Sequence, residues 1–120
     1  MEPALMAYYP LLKDYWPELV AELEEALRIE GEERLAATVG ALRVNALCGC
    51  AQYDCQSFYT TPARGPWPDL GTYKSIPLDT SDAMVVLDVV DDTIMFVELL
   101  RQPPEPGYDR LASRVHGSGS

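Results

Sequence analysis

The chain has 120 residues, 48% hydrophobic and 23% charged, a balance that suits one folded domain with one core and excludes extensive disorder away from the ends. Nineteen acidic against nine basic residues give a formal charge of -10 at pH 7, which argues against nucleic acid as a ligand and either serves solubility alone or favours basic proteins as charged partners. No basic leader with an apolar core opens the chain, and no run approaches the ~18 apolar residues that span a bilayer, so a cytoplasmic protein without a membrane partner is expected.

Residues 1 to 16 gather Tyr8, Tyr9, Tyr15 and Trp16 around Pro10, a bulky segment with at most a short helical turn between Ala4 and Leu12. Pro17 suits the first position of a helix, where its missing N–H is not needed, and Glu18 places negative charge at the positive helix end. The helix runs to about Glu30 and stops at Gly31. Leu19, Val20, Leu23, Ala26 and Leu27 form its single apolar stripe, while Glu22, Glu24 and Glu25 lie on the solvated side. A second, shorter helix is expected from Glu32 to about Gly40, burying Leu35, Ala36 and Val39.

From Ala41 the apolar period changes to two, with Leu42, Val44, Ala46, Cys48 and Cys50 on one side of a strand. A loop through Ala51, Gln52, Tyr53 and Asp54 then leads into Cys55, Ser57 and Tyr59 of a second strand. Pro62 to Asp69 holds three prolines, Gly65 and Trp67, which exclude a central strand and read as an ordered surface loop with Trp67 as a lid over the core. Tyr73 to Leu78 gives a short strand.

Residues 83 to 100 are the centre of the chain: two apolar, β-branched runs separated by Asp91-Asp92, the pattern of a long β-hairpin with a two-residue turn. With regular alternation, Val89 opposes Ile94, Leu87 opposes Phe96 and Val85 opposes Glu98 on one face. Asp88 with Met95, Val86 with Val97 and Met84 with Leu99 then share the other. Near-continuous apolar runs call for cover on two sides, and one helical layer supplies only one. Met84, Val86, Asp88, Met95, Val97 and Leu99 are therefore the expected interface, closed by a second copy or another protein. In this register Asp88 and Glu98 point to opposite faces, unless a bulge intervenes, and each needs a partner such as Arg43 or Arg101.

Pro103, Pro104 and Pro106 end the sheet, and Tyr108 to Val115 adds a last helical turn. The closing Gly-Ser-Gly-Ser reads as an appended linker. The expected fold is thus one α+β domain over residues 1 to 116, with two N-terminal helices followed by an antiparallel sheet of four or five strands built from hairpins.

Cys48, Cys50 and Cys55 have the spacing C-x-C-x4-C, which brings three sulfurs together across the first hairpin. They are candidate ligands of one structural zinc, with Asp54, His116, a water or another chain as the fourth, or they are free thiols. An odd cysteine count fits a reducing compartment. Thiol catalysis is a minor alternative, since His116, the only histidine, lies beside the linker and only Arg43, Arg64 or Lys74 is left to activate a thiolate. No Walker loop, nucleotide fingerprint, G-x-S-x-G or H-E-x-x-H occurs, and the turn aspartates lack the pattern of a calcium loop.

Cys48-Gly49-Cys50, Cys55, Ser57-Phe58-Tyr59-Thr60 and Leu87-Asp88-Val89-Val90-Asp91 ahead of Val97-Glu98-Leu99-Leu100 resemble a group of small uncharacterised bacterial proteins, chiefly actinobacterial. The resemblance covers about half the chain, from Cys48 to Leu100. Such proteins usually carry Gly-Asp after the second cysteine and glycine in the hairpin turn, where this chain has Ala51-Gln52 and Asp92. It implies that the cysteines and the hairpin belong together, and it brings no activity. The expected function is a non-enzymatic protein-interaction module that self-associates through an apolar sheet face or meets a basic partner, as an immunity protein or antitoxin does. The alternative is a small zinc-binding domain.

Overall fold

The computed structural model describes residues 9–49, 55–80, 84–101 and 105–117. Helix α1 spans Leu12–Tyr15, α2 spans Pro17–Ile29, and α3 spans Glu33–Thr38 and tightens into a 3-10 turn over Val39–Ala41. Pro17 occupies the first turn of α2, where no N–H is needed. Gly31, at φ 82, ends the helix by donating to the Arg28 carbonyl while Glu32 donates to that of Leu27, a paired closure that glycine in the left-handed region permits. The apolar stripe of α2 is buried in full.

Five antiparallel strands follow: β1 Ala46–Leu47, β2 Phe58–Tyr59, β3 Tyr73–Asp79, β4 Met84–Val90 and β5 Thr93–Leu100, in spatial order β1-β2-β5-β4-β3. Helix α4, Pro106–Gly117, closes the described chain and is longer than the single turn expected there. The α+β class and the antiparallel sheet are therefore as the sequence indicates. Among the described residues no helix is long and apolar enough to cross a membrane.

The first hairpin is much shorter than its alternating pattern suggests. Val44 donates to the Pro10 carbonyl and Leu11 bridges Arg43, so this segment pairs with the N-terminal stretch before reaching β1. Beyond Phe58, the Ser57 hydroxyl accepts the Leu99 N–H at 2.9 Å, and a side chain thus replaces a ladder carbonyl. The strand ends there because its backbone partner has been substituted.

One sheet face meets the helices. Ile76 and Leu78 of β3, Val85, Leu87 and Val89 of β4, Ile94, Val97 and Leu99 of β5 and Phe58 of β2 form one core with Leu19, Leu23, Leu27, Leu35 and Leu111. Trp16, also buried, lies against Gly107 of α4, where a Cβ would collide with the indole, and its ring meets Tyr108 edge-on at 5.9 Å. Arg101 continues β5 into this layer. Its guanidinium holds both Glu22 oxygens at 3.1 and 3.0 Å and Glu105 at 3.3 Å, tying α2 to the segment that opens α4.

The central hairpin departs from simple alternation at one point. Val90–Thr93 and Val89–Ile94 pair as expected, but Asp88 then opposes Phe96, Leu87 opposes Val97, Val86 opposes Glu98 and Met84 opposes Leu100. Met95 is the extra residue of a β-bulge, and every later side chain of β5 changes face. Val97 and Leu99, both 0% exposed, are consequently core residues and not part of an outer interface. Asp91 and Asp92 have φ of 50° and 62°, so both turn residues are left-handed, as a type I′ hairpin turn requires.

Candidate functional site: the outer sheet face

The bulge determines what stands on the side away from the helices. Tyr73, Ser75 and Pro77 of β3, Met84, Val86, Asp88 and Val90 of β4, and Phe96, Glu98 and Leu100 of β5 alternate outward, with Tyr59 beside Phe96. Asp88 and Glu98 thus share a face, contrary to the regular register, because the inserted Met95 reverses the second strand. Of the expected interface residues, Met84, Val86 and Asp88 lie here and Met95 sits in the bulge, largely buried.

Part of the face has internal cover. Val90 is buried, and the loop from Thr60 passes beside it, with Trp67 in a 3-10 turn over Trp67–Asp69. Trp67 lies 6.4 Å from Tyr59 and Tyr59 4.6 Å from Phe96, ring centre to ring centre. The Arg64 guanidinium stacks 3.8 Å over the Tyr59 ring and donates to the Thr61 and Ala63 carbonyls and to Asn45 Oδ1. Trp67 is therefore a lid, as the sequence suggests, but over this outer aromatic cluster. A groove of about 500 Å³ runs between the loop and the hairpin end, lined by Pro62, Leu70, Val90 and Met95 among others.

Among the described residues the rest of the face is only partly covered. Met84 is 48% exposed, Leu70 46% and Tyr73 36%, and these are three of the four most exposed large apolar side chains among the described residues. Val86, Phe96 and Leu100 are half-buried. Edge pairing is a poor route to this surface, since Pro77 removes a donor from the middle of β3, the strand at the open edge.

Asp88 accepts a hydrogen bond from the Tyr73 hydroxyl at 2.9 Å. That contact holds the Tyr73 phenol above the ordinary tyrosine value, with desolvation adding to the effect and a hydrogen bond to Ser75 opposing it. Glu98 is half-buried and makes no hydrogen bond or ion pair among the described residues. Neither carboxylate meets Arg43, which donates to the Tyr9 carbonyl, or Arg101, which is held by Glu22 and Glu105. Two carboxylates on an open sheet surface suit ion pairing with an incoming group. Acid–base chemistry instead places such a pair in a cleft that holds a substrate.

The cysteine cluster falls only partly within the described residues, Cys50 and the loop Ala51 to Asp54 lying outside them. Cys48 and Cys55 are half-buried, the Cys48 N–H donates to the Ser57 carbonyl, and Cys55 Sγ lies 3.5 Å from the Ser57 hydroxyl. His116 falls in α4. Among the described residues no group of three or more histidine, cysteine, aspartate or glutamate side chains is placed to hold a metal ion.

Sequence reasoning missed Phe96, Glu98, Leu100 and Tyr73 as outer-face residues. The bulge that places three of them has no glycine to announce it, and Tyr73 is defined only by its register opposite Val90. No family model, curated protein or solved structure matches the chain.

Proposed function

We propose that the protein is a non-enzymatic interaction module whose contact surface is the outer face of the sheet. The observation that carries this reading is the apolar patch of exposed Met84 and half-buried Val86, Phe96 and Leu100, which no described residue fully covers, on a β-hairpin whose other face already packs the core. Large side chains left in water on one side of a rigid sheet are the usual mark of a surface closed by another molecule. The rigidity matters, because a preformed face loses little conformational entropy when it is covered.

Site-specific photo-crosslinking in cells tests the reading. A benzoylphenylalanine replacing Val86 is expected to yield a discrete protein adduct, while the same group replacing Ala37, exposed on α3, yields none. The adduct mass separates a second copy, at twice 13.3 kDa, from a different protein. Equal or absent adducts at the two positions would remove the proposal.

A further inference from the structure

The outer face is apolar but charged at its centre, and the charges have one sign. No basic residue stands among the outward positions of β3, β4 and β5. Asp88 and Glu98 are diagonal neighbours across β4 and β5, a relation that puts such residues about 7–8 Å apart, a span that one guanidinium or ammonium group can bridge. Tyr73 occupies Asp88 Oδ1, and Glu98 has no partner among the described residues. Arg64, the cation packed against Tyr59, is committed to that ring and to three oxygens.

We infer that the occupant of this face is a basic protein segment, which sets an arginine or lysine between Asp88 and Glu98 and apolar side chains on Met84, Val86, Phe96 and Leu100. The inference rests on the outer face being an interaction surface and names the chemistry of what it binds. A second copy of this chain is the wrong complement. Two-fold pairing opposes a patch to itself, so each copy would bring Asp88 and Glu98 into the contact and neither would bring a free cation. Stripping water from carboxylates that gain no counter-charge is strongly unfavourable. The same pair therefore selects a basic partner and holds copies apart. The net charge of -10 acts in the same sense at longer range, steering basic proteins in and repelling copies.

The test compares the wild type with the double variant Asp88→Asn/Glu98→Gln, in which the amide oxygen introduced by the first substitution can still accept from Tyr73. Sedimentation velocity at up to about 200 μM, where weak pairing registers, is expected to show a monomeric wild type and a self-associating double variant. A random peptide library panned on the wild type is expected to enrich sequences with arginine or lysine beside aliphatic or aromatic residues. Those peptides should bind the double variant roughly tenfold or more weakly, and the difference should shrink at high salt. A wild-type dimer dissociated by Val86→Lys would overturn the basic-partner inference and leave the interaction reading standing. Enriched peptides without basic residues, or indifferent to the double substitution, would overturn it in the same way. Peptides that bind Val86→Lys as tightly as wild type, or no enrichment together with a monomeric double variant, would overturn both.

Discussion

Tyr73 and Asp88 show how a surface pair records its environment. The phenol donates to a carboxylate at 2.9 Å, and ionising it would replace that hydrogen bond with two facing negative charges, so its pKa lies above the ordinary value. The folded-state value exceeds the unfolded one. The contribution to stability is therefore complete below about pH 10 and is lost as pH rises through the folded value. Ultraviolet difference titration of wild type against Tyr73→Phe should isolate one tyrosine that ionises above the ordinary tyrosine value, and Asp88→Ala should move it down. An unmoved titration in that variant would show that Asp88 is not the cause. Nothing local in the sequence singles out Tyr73, because its partner is set by strand register and lies 15 positions away.

Elements with their own periodicity are the legible ones. Helix α2 has a strong stripe, a proline start and a glycine stop, and its observed span, Pro17–Ile29, differs by one residue from the expected one. The central hairpin is equally visible as an element, since two β-branched runs around Asp91-Asp92 admit few other structures. Its facing is not, because an insertion of one residue leaves composition unchanged and reverses every side chain beyond it. The short strands look longer in sequence than they are for a different reason: Ser57 and the Pro10 segment take backbone bonds that alternation alone assigns to strand neighbours. Adjacent lysine substitutions test the bulge directly. Leu99→Lys, which buries an ammonium group in the core, should lower stability by more than about 3 kcal/mol, whereas Leu100→Lys should cost no more than about 1 kcal/mol. Denaturant melts decide the matter, and the opposite order would restore the bulge-free register.

Across the whole molecule the charges are unevenly spent. Arg101 is enclosed by Glu22 and Glu105, whereas Arg28–Glu33, Arg34–Asp92 and Arg110–Glu18 are 3.7 Å contacts between largely exposed side chains, and Lys74–Glu32 at 3.2 Å is only partly shielded. Pairs of that exposure are worth at most about 1 kcal/mol each and weaken in salt. Against them stands the mutual repulsion of an excess of ten negative charges within 39 × 38 × 25 Å. At 0.01 M salt the screening length is about 30 Å, so charges on opposite sides of the molecule repel one another; at 0.15 M it is about 8 Å, and only neighbours do. The exposed pairs lose a little over that range and the long-range repulsion loses most of its reach. Thermal melts should therefore show a midpoint that rises with sodium chloride from 0.01 M and levels off above about 0.15 M. Potassium chloride should act alike, since the effect depends on ionic strength rather than on a bound ion. A midpoint that falls with salt would mean that the exposed pairs outweigh the repulsion, and the charge excess would then have little force left with which to draw in a basic partner.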